Sequence, residues 1–201
     1  MKKLVYFWLI GLLVSSSLWA LKPGEALPAS VANVKMKGVD GKEITLKELV
    51  GPKGLLVIFS CNHCPWVKAW QGRMVALGNE YSKKGVGVVA INSNDPVAYP
   101  DDDFDHMVAQ AKEHGYQFAY VVDATSNVAR AFGATRTPEV FLFDAQGKLV
   151  YHGAIDDNAE KPQEVKKTYL ADALQALVEG KPVPVAETKA LGCSIKFRKT
   201  Q

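Results

Sequence analysis

Residues 55–65 read LLVIFSCNHCP. The unbroken apolar run 55–59 is what a strand covered on both faces requires. Cys61 and Cys64 follow it directly, separated by Asn62 and His63. Beyond Pro65 the apolar positions Trp66, Trp70, Met74, Leu77 and Tyr81 recur at spacings of three and four, so the pattern predicts a helix with one buried face that begins at the cysteines. Two sulfurs are thereby set at a helix N-terminus, where unpaired amides and the positive end of the helix dipole make a thiol more acidic. Pro65 suits the first turn because its missing N–H is not needed there, which predicts Cys64 close to the N-cap. His63 adds a second lever, since an imidazolium beside the thiolate favours the reduced form.

Working outward, Gly85 ends that helix and residues 86–91 (VGVVAI) form a second buried strand. Phe104, Met107, Val108 and Ala111 mark another helix, with Asp101, Asp102, Asp103 and Asp105 at its start. Acidic residues there answer the helix dipole, so the run is read as capping charge and not as a metal site. His106 and His114, eight apart on this helix, are read as surface residues. Residues 118–122 make a third strand, and 126–132 a short helix capped by Ser126. A hairpin follows, with arms 140–143 and 148–151 around Asp144-Ala145-Gln146-Gly147. Leu170, Ala173, Leu174, Leu177 and Val178 give a last helix, ended by Gly180 and Pro182. Ahead of the central strand, residues 31–45 read as a hairpin carrying Val31, Val34 and Met36 on one arm, and 46–50 as a short helix. Strands alternating with helices and closing on an antiparallel pair predict an α/β fold, a mixed central sheet flanked by helices, with the hairpin as an N-terminal extension. The body is placed at 24–182. Residues 183–201 form a C-terminal extension that carries Cys193, and its basic Lys196, Arg198 and Lys199 read as solvated.

The 201 residues are 22% charged and 48% hydrophobic, as in an ordinary globular chain. Residues 1–20 differ: Lys2 and Lys3, an apolar run, then small residues ending at Ala20. This is the pattern of a secretory signal, so a periplasmic or secreted location is expected, with membrane attachment only if the segment stays uncut. Net charge is +3, of which Lys2 and Lys3 supply two. No nucleic-acid partner is implied. Three cysteines in an exported chain leave an odd thiol, free or exchanging. Structural zinc would need two further ligands at matching spacing, and no second CxxC or paired histidines appear, so no metal or other cofactor is expected.

The element order and Cys61-Asn62-His63-Cys64-Pro65, Thr137-Pro138 before a strand and the Asp-x-x-Gly hairpin resemble the thioredoxin superfamily. More narrowly, Tyr99-Pro100, Ala131-Phe132-Gly133-Ala134, Leu149-Val150-Tyr151-His152-Gly153 with Asp156-Asp157, and Gly192-Cys193-Ser194-Ile195-Lys196 are similar to bacterial redoxin (AhpC/TSA-like) proteins, often called peroxiredoxin-like, over about residues 24–198. The resemblance implies a thioredoxin-like fold and a thiol–disulfide oxidoreductase acting on a protein or small-molecule disulfide through Cys61 and Cys64. It also implies that Pro138 is a cis-proline beside the dithiol, with Thr137 pairing the substrate chain. By the count from Phe59, the attacking cysteine of thioredoxins falls on Cys64, with Cys61 resolving; the reverse order is the alternative. A peroxiredoxin would also attack from Cys64, on a hydroperoxide. However, Cys61 stands where that pattern has a hydroxyl and Val57 where it has a proline, while Arg136 beside Pro138 reads as a surface charge. A Sco-like copper chaperone with His152 as distant ligand is a third reading, set back by the two-residue cysteine spacing. Cys193 is read as a possible third redox thiol.

Overall fold

The computed structural model describes residues 20–199, so the export segment read in 1–20 lies outside the described residues apart from Ala20. Every residue of the central strand β3 (Gly54–Ser60) is buried. Successive side chains of a strand point to opposite faces. Leu56 and Ile58 therefore enter one apolar cluster, and Leu55, Val57 and Phe59 the other. β3 runs parallel to β4 (Val86–Asn92), and β4 parallel to β5 (Ala119–Val122). On the other side β3 pairs antiparallel with β7 (Glu139–Asp144), which pairs antiparallel with β8 (Leu149–Gly153).

The N-terminal hairpin forms β1 (Met36–Gly38) and β2 (Glu43–Ile44), with Met36 opposite Ile44. It is not a separate appendage. β1 also pairs with β5, giving one seven-stranded mixed sheet in the order β2-β1-β5-β4-β3-β7-β8. Val31, expected on an arm of this hairpin, instead sits in the helical turn α1 (Ala29–Ala32), buried among the core residues of the second cluster. α2 (Leu46–Leu49) opens on a capping box in which Thr45 and Glu48 satisfy each other's backbone N–H.

Helices cover both faces. α3 (Pro65–Lys83) and α6 (Tyr169–Val178) cover the face of Leu56 and Ile58 through Val67, Trp70, Met74, Leu170 and Leu174. α4 (Phe104–Glu113) sets Met107 and Ala111 against Ala90 and Tyr120 on the same face. α1, α2 and α5 (Asn127–Phe132) cover the other. There Phe132 meets Phe59 and Phe141 edge to face with ring centroids 5.3 and 5.2 Å apart, and burying each such ring is worth about 1.5–3 kcal/mol. Among the described residues no helix is long and apolar enough to cross a membrane.

Two local expectations fail for reasons of packing. Trp66 is 37% exposed, because the buried stripe of α3 runs through Val67, Trp70, Met74 and Tyr81 and leaves residue 66 at its edge. Ser126 does not cap α5: it adopts φ 57°, and its hydroxyl donates to the Ser93 carbonyl. The buried carboxylate of Asp123 does the capping, accepting from the Ala129 N–H at 3.0 Å. Asp156, also buried, accepts from Trp70 Nε1 at 2.8 Å and from Arg73, tying the loop after β8 to α3.

Candidate active site at the start of the third helix

The turn after β3 delivers Cys64 to the N-cap of α3 and Pro65 to its first position. Thr137 and Pro138 come from the opposite side, between β6 (Arg136–Thr137) and β7, joined by a cis peptide bond. Thr137 contacts both sulfurs. Its hydroxyl lies 3.3 Å from Cys61 Sγ, and its carbonyl lies 3.2 Å from Cys64 Sγ, accepting from that sulfur in its protonated form. Cys61 and Cys64 are fully buried free thiols.

The C-terminal segment lies beside them, with Cys193 packed against the core cluster that holds both thiols. Residues 186–188 follow β8, with hydrogen bonds from the His152 N–H to the Ala186 carbonyl and from the Thr188 N–H to the His152 carbonyl. The chain then crosses to the dithiol, where β9 (Cys193–Ser194) pairs antiparallel with β6 and Cys193 stands opposite Thr137. A Cβ on Gly192 would lie 2.2 Å from the Thr137 carbonyl oxygen, so only glycine passes here. Beyond it, the Lys196 N–H donates to Asn94 Oδ1 at 2.7 Å, and the Arg198 N–H to the Ser126 hydroxyl at 2.9 Å. The basic ending is thus held by its backbone and is not a solvated tail.

The two thiols of the turn differ sharply in acidity. Cys64 is lowered to about 4. The Cys61 thiol, donating to its sulfur, is the main cause, and the Cys193 thiol and the amides of Val67 and Cys193 add to it against the opposing effect of burial. The thiol makes no capping hydrogen bond of its own, but these amides favour its anion. Cys61 is driven far up, first because its proton is held by Cys64, then by burial and by the negative charge of Asp102. Cys193 is raised to about 11 by burial and by Cys64. One anion shared among three sulfurs, resting on Cys64, describes the site.

Asp102 is the functional residue that sequence reasoning assigned to the wrong task. Asp103 caps α4, accepting from the His106 N–H, as the helix-dipole reading requires. Asp102 instead turns inward, 1% exposed. Its Oδ1 accepts from the Asn62 N–H at 2.7 Å and the His63 N–H at 3.2 Å. Its Oδ2 accepts from the His63 ring at 2.5 Å and from Asn94 Nδ2 at 2.7 Å. His63 therefore faces Asp102 and stacks on Tyr99 with ring centroids 5.1 Å apart. The nearest signal in the sequence was Tyr99-Pro100, two residues before this aspartate. Cys61, His63 and Asp102 are the one set of three metal-competent donors among the described residues, with ligand atoms within 4.8 Å of one another. Four donors already occupy the Asp102 lone pairs, and the set works as a scaffold for the turn.

His152 is brought into a different cluster. It is buried, with Nε2 2.8 Å from Glu139 Oε1, while Glu139 Oε2 accepts from the amides of Thr135 and Arg136 just before Pro138. Arg136 itself is exposed, reaching the Gly192 carbonyl at 3.4 Å. His106 pairs with Asp103 on the surface, and His114 is exposed.

Comparison with known proteins agrees with this architecture. Thiol-disulfide oxidoreductase ResA of Halalkalibacterium halodurans is 30% identical over 120 residues, which cover 59% of this chain and 62% of that protein. An uncharacterized conserved protein from Geobacillus kaustophilus superposes with a TM-score of 0.82 at 39% identity, covering 89% of this chain and 94% of that one. A thioredoxin-like protein in its oxidized form shares the fold, with a TM-score of 0.63 at 20% identity over 80% of this chain and 99% of that one. The fold is thioredoxin-like, and the Redoxin family model matches residues 22–170. With its dithiol at the head of the helix after the central strand, the chain belongs to the Redoxin family.

Proposed function

We propose that the protein is a thiol–disulfide oxidoreductase in which Cys64 is the attacking thiolate and Cys61 the resolving thiol, acting on a protein or low-molecular-mass disulfide. The observation that carries this reading is the position of Cys64 at the N-cap of α3 with Cys61 three residues before it and cis-Pro138 opposite, a setting in which the neighbouring thiols and the Val67 amide lower its pKa. In the reductive direction the Cys64 thiolate attacks one sulfur of the partner disulfide. A Cys64–partner disulfide forms, and the other partner sulfur leaves as a thiolate. The charge that kept Cys61 protonated is then gone, since the largest cause of its raised pKa is Cys64 itself. Cys61 can now lose its proton and attack Cys64 Sγ, releasing the second partner thiol and leaving a Cys61–Cys64 disulfide. Two electrons pass from protein to partner.

Thr137 and cis-Pro138 would position the partner chain through the β6 edge. Asp102 would hold the CNHC turn, and His63 acts through Asp102. The name of the Halalkalibacterium halodurans relative supports the same chemistry. Two assays test it together: reduction of insulin disulfides and stopped-flow consumption of hydrogen peroxide by the reduced protein. Catalysed insulin reduction is expected. Rapid peroxide consumption with no insulin reduction would reassign Cys64 to peroxide.

Acid titration checks the electrostatic basis. The thiolate absorbance of the reduced protein is expected to persist through neutral pH and to fall away with a midpoint near pH 4. Because the anion is the stabilised form, reactivity holds above that midpoint and is lost as pH drops through it. In Cys61→Ala the principal donor is missing, so the midpoint should move up toward the ordinary thiol range. A wild-type midpoint at the ordinary thiol value of about 8.5 would remove the basis of the proposal.

We also propose that residues 1–20 direct the chain out of the cytoplasm and are removed, with the fold starting immediately afterwards. The Leu21 N–H is already bonded to the Phe132 carbonyl. A mature chain beginning at Leu21 in the extracytoplasmic fraction is the expected finding, and a cytoplasmic chain starting at Met1 would contradict it.

A further inference from the structure

We propose that Cys193 is a third redox-active thiol, and that the C-terminal strap occupies the partner groove as a strand of the protein's own, forming a Cys64–Cys193 disulfide during turnover. The proposal rests on the reading of Cys64 as attacking thiolate and adds a substrate in cis.

Three observations carry it. β9 lies antiparallel on β6 with Cys193 opposite Thr137, directly before cis-Pro138, and this edge is the one a partner chain needs. The strap is fastened on both sides of that contact, at His152 before it and at Asn94 after it, so the placement is built in and not a stray tail. Gly192 is needed where the chain passes over Thr137, because any side chain there would strike backbone. Cys193 is consequently held opposite Thr137, whose carbonyl lies 3.2 Å from Cys64 Sγ, and it packs against the core cluster that contains Cys64. Its proton is retained partly because Cys64 is an anion. Once Cys64 enters a mixed disulfide, that restraint is lifted from Cys193 as it is from Cys61.

The electron balance is as follows. With oxidised glutathione, the Cys64 thiolate displaces one glutathione thiolate and carries the other as an adduct. Cys193 gives up its proton to solvent and attacks Cys64 Sγ, the sulfur–glutathione bond breaks, and the second glutathione leaves as a thiolate that is protonated. Two electrons move from Cys64 and Cys193 to glutathione disulfide; Cys193 supplies one of the two protons that the released glutathione thiolates take up, and solvent supplies the other. In the native chain Cys61 then attacks Cys64 Sγ, returns Cys193 to the thiol, and leaves the Cys61–Cys64 disulfide. Cys64 is fully buried, so a disulfide of either kind, glutathione disulfide included, reaches it while the strap is lifted, and the strap's return sets Cys193 back opposite Thr137 beside the adduct.

The test uses the full mature chain with Cys61→Ser, treated with oxidised glutathione and mapped without reduction after trypsin. Residues 54–68 then contain Cys64 as their one cysteine, and residues 190–196 contain Cys193. The expected result is a link between these two peptides, a loss of two hydrogen atoms from the intact mass, and little glutathione adduct. Adding Cys193→Ser should convert the product to a stable Cys64 adduct. Gly192→Val, which pushes the strap off Thr137, should lower the yield of the link severalfold while the near-ultraviolet circular dichroism keeps its shape. A Cys61→Ser chain that stays as a Cys64 adduct with free Cys193 would overturn the inference and leave the exchange reading standing. A chain in which Cys64 takes neither glutathione nor Cys193 would overturn both.

Discussion

Cys64→Ser is expected to bring insulin-disulfide reduction down to the uncatalysed rate, a loss of about a thousand-fold or more, because no other group at the site is an anion able to attack sulfur. The remaining thiols in this variant are Cys61 and Cys193, and both keep their protons far above neutrality while Cys64 is charged. With that charge removed they become more acidic, yet neither stands at the N-cap of α3, where the Val67 amide favours the anion. The contrast lies in Cys61→Ser. Its hydroxyl still donates to Cys64, so the first attack should proceed and release one partner thiol per chain before resolution by any other route. In the Cys61→Ser, Cys193→Ser double variant the reaction should stop at the mixed disulfide, visible as a covalent adduct on Cys64. Should Cys64→Ser retain the initial burst and Cys61→Ser abolish it, the two roles are reversed.

The second large effect is on stability. Asp102→Ala is expected to lower the unfolding free energy by about 3–5 kcal/mol, because it leaves buried donors from Asn62, Asn94 and the His63 backbone without an acceptor. For a chain of this size that amounts to a fall of roughly 10 °C in Tm. Asp102→Asn keeps the shape and part of the acceptor capacity, so its loss should be smaller. The replacement also has a chemical signature that simple destabilisation would not give. Asp102 is one of the groups that raise Cys61, so alkylation of Cys61 in folded Asp102→Asn should begin at lower pH than in the native chain. A Tm within about 2 °C of the native value for Asp102→Ala would mean that water replaces the carboxylate, and the scaffold reading would fail.

The sequence was most informative where the physics is local. An unbroken apolar run predicts a strand covered on both faces, and β3 is buried throughout. A period of three and four predicts α3, and a proline after a cysteine predicts where it starts. The hairpin of β7 and β8 follows from Asp144 and Gly147 at its turn, where the Asp144 carboxylate accepts from the amides of Gln146 and Lys148. Each of these signals depends on residues a few positions apart, and the energies that decide them, dihedral preference and burial of one face, can be estimated without knowing what lies opposite.

The tertiary structure alone decided the rest. Asp102 and Asp103 are the same residue type in the same acidic run, yet one is sealed beside the dithiol and the other caps a helix. What separates them is which carboxylate meets the unpaired amides of Asn62 and His63, some 40 residues earlier in the chain. Ser126 and Asp123 exchanged the expected capping task because the serine hydroxyl is drawn to the Ser93 carbonyl. The strap is the strongest case, since nothing near Cys193 in sequence says that it will lie on β6. A buried polar group must find a partner wherever the chain brings one, and no count along the sequence reveals that partner before the sheet has closed.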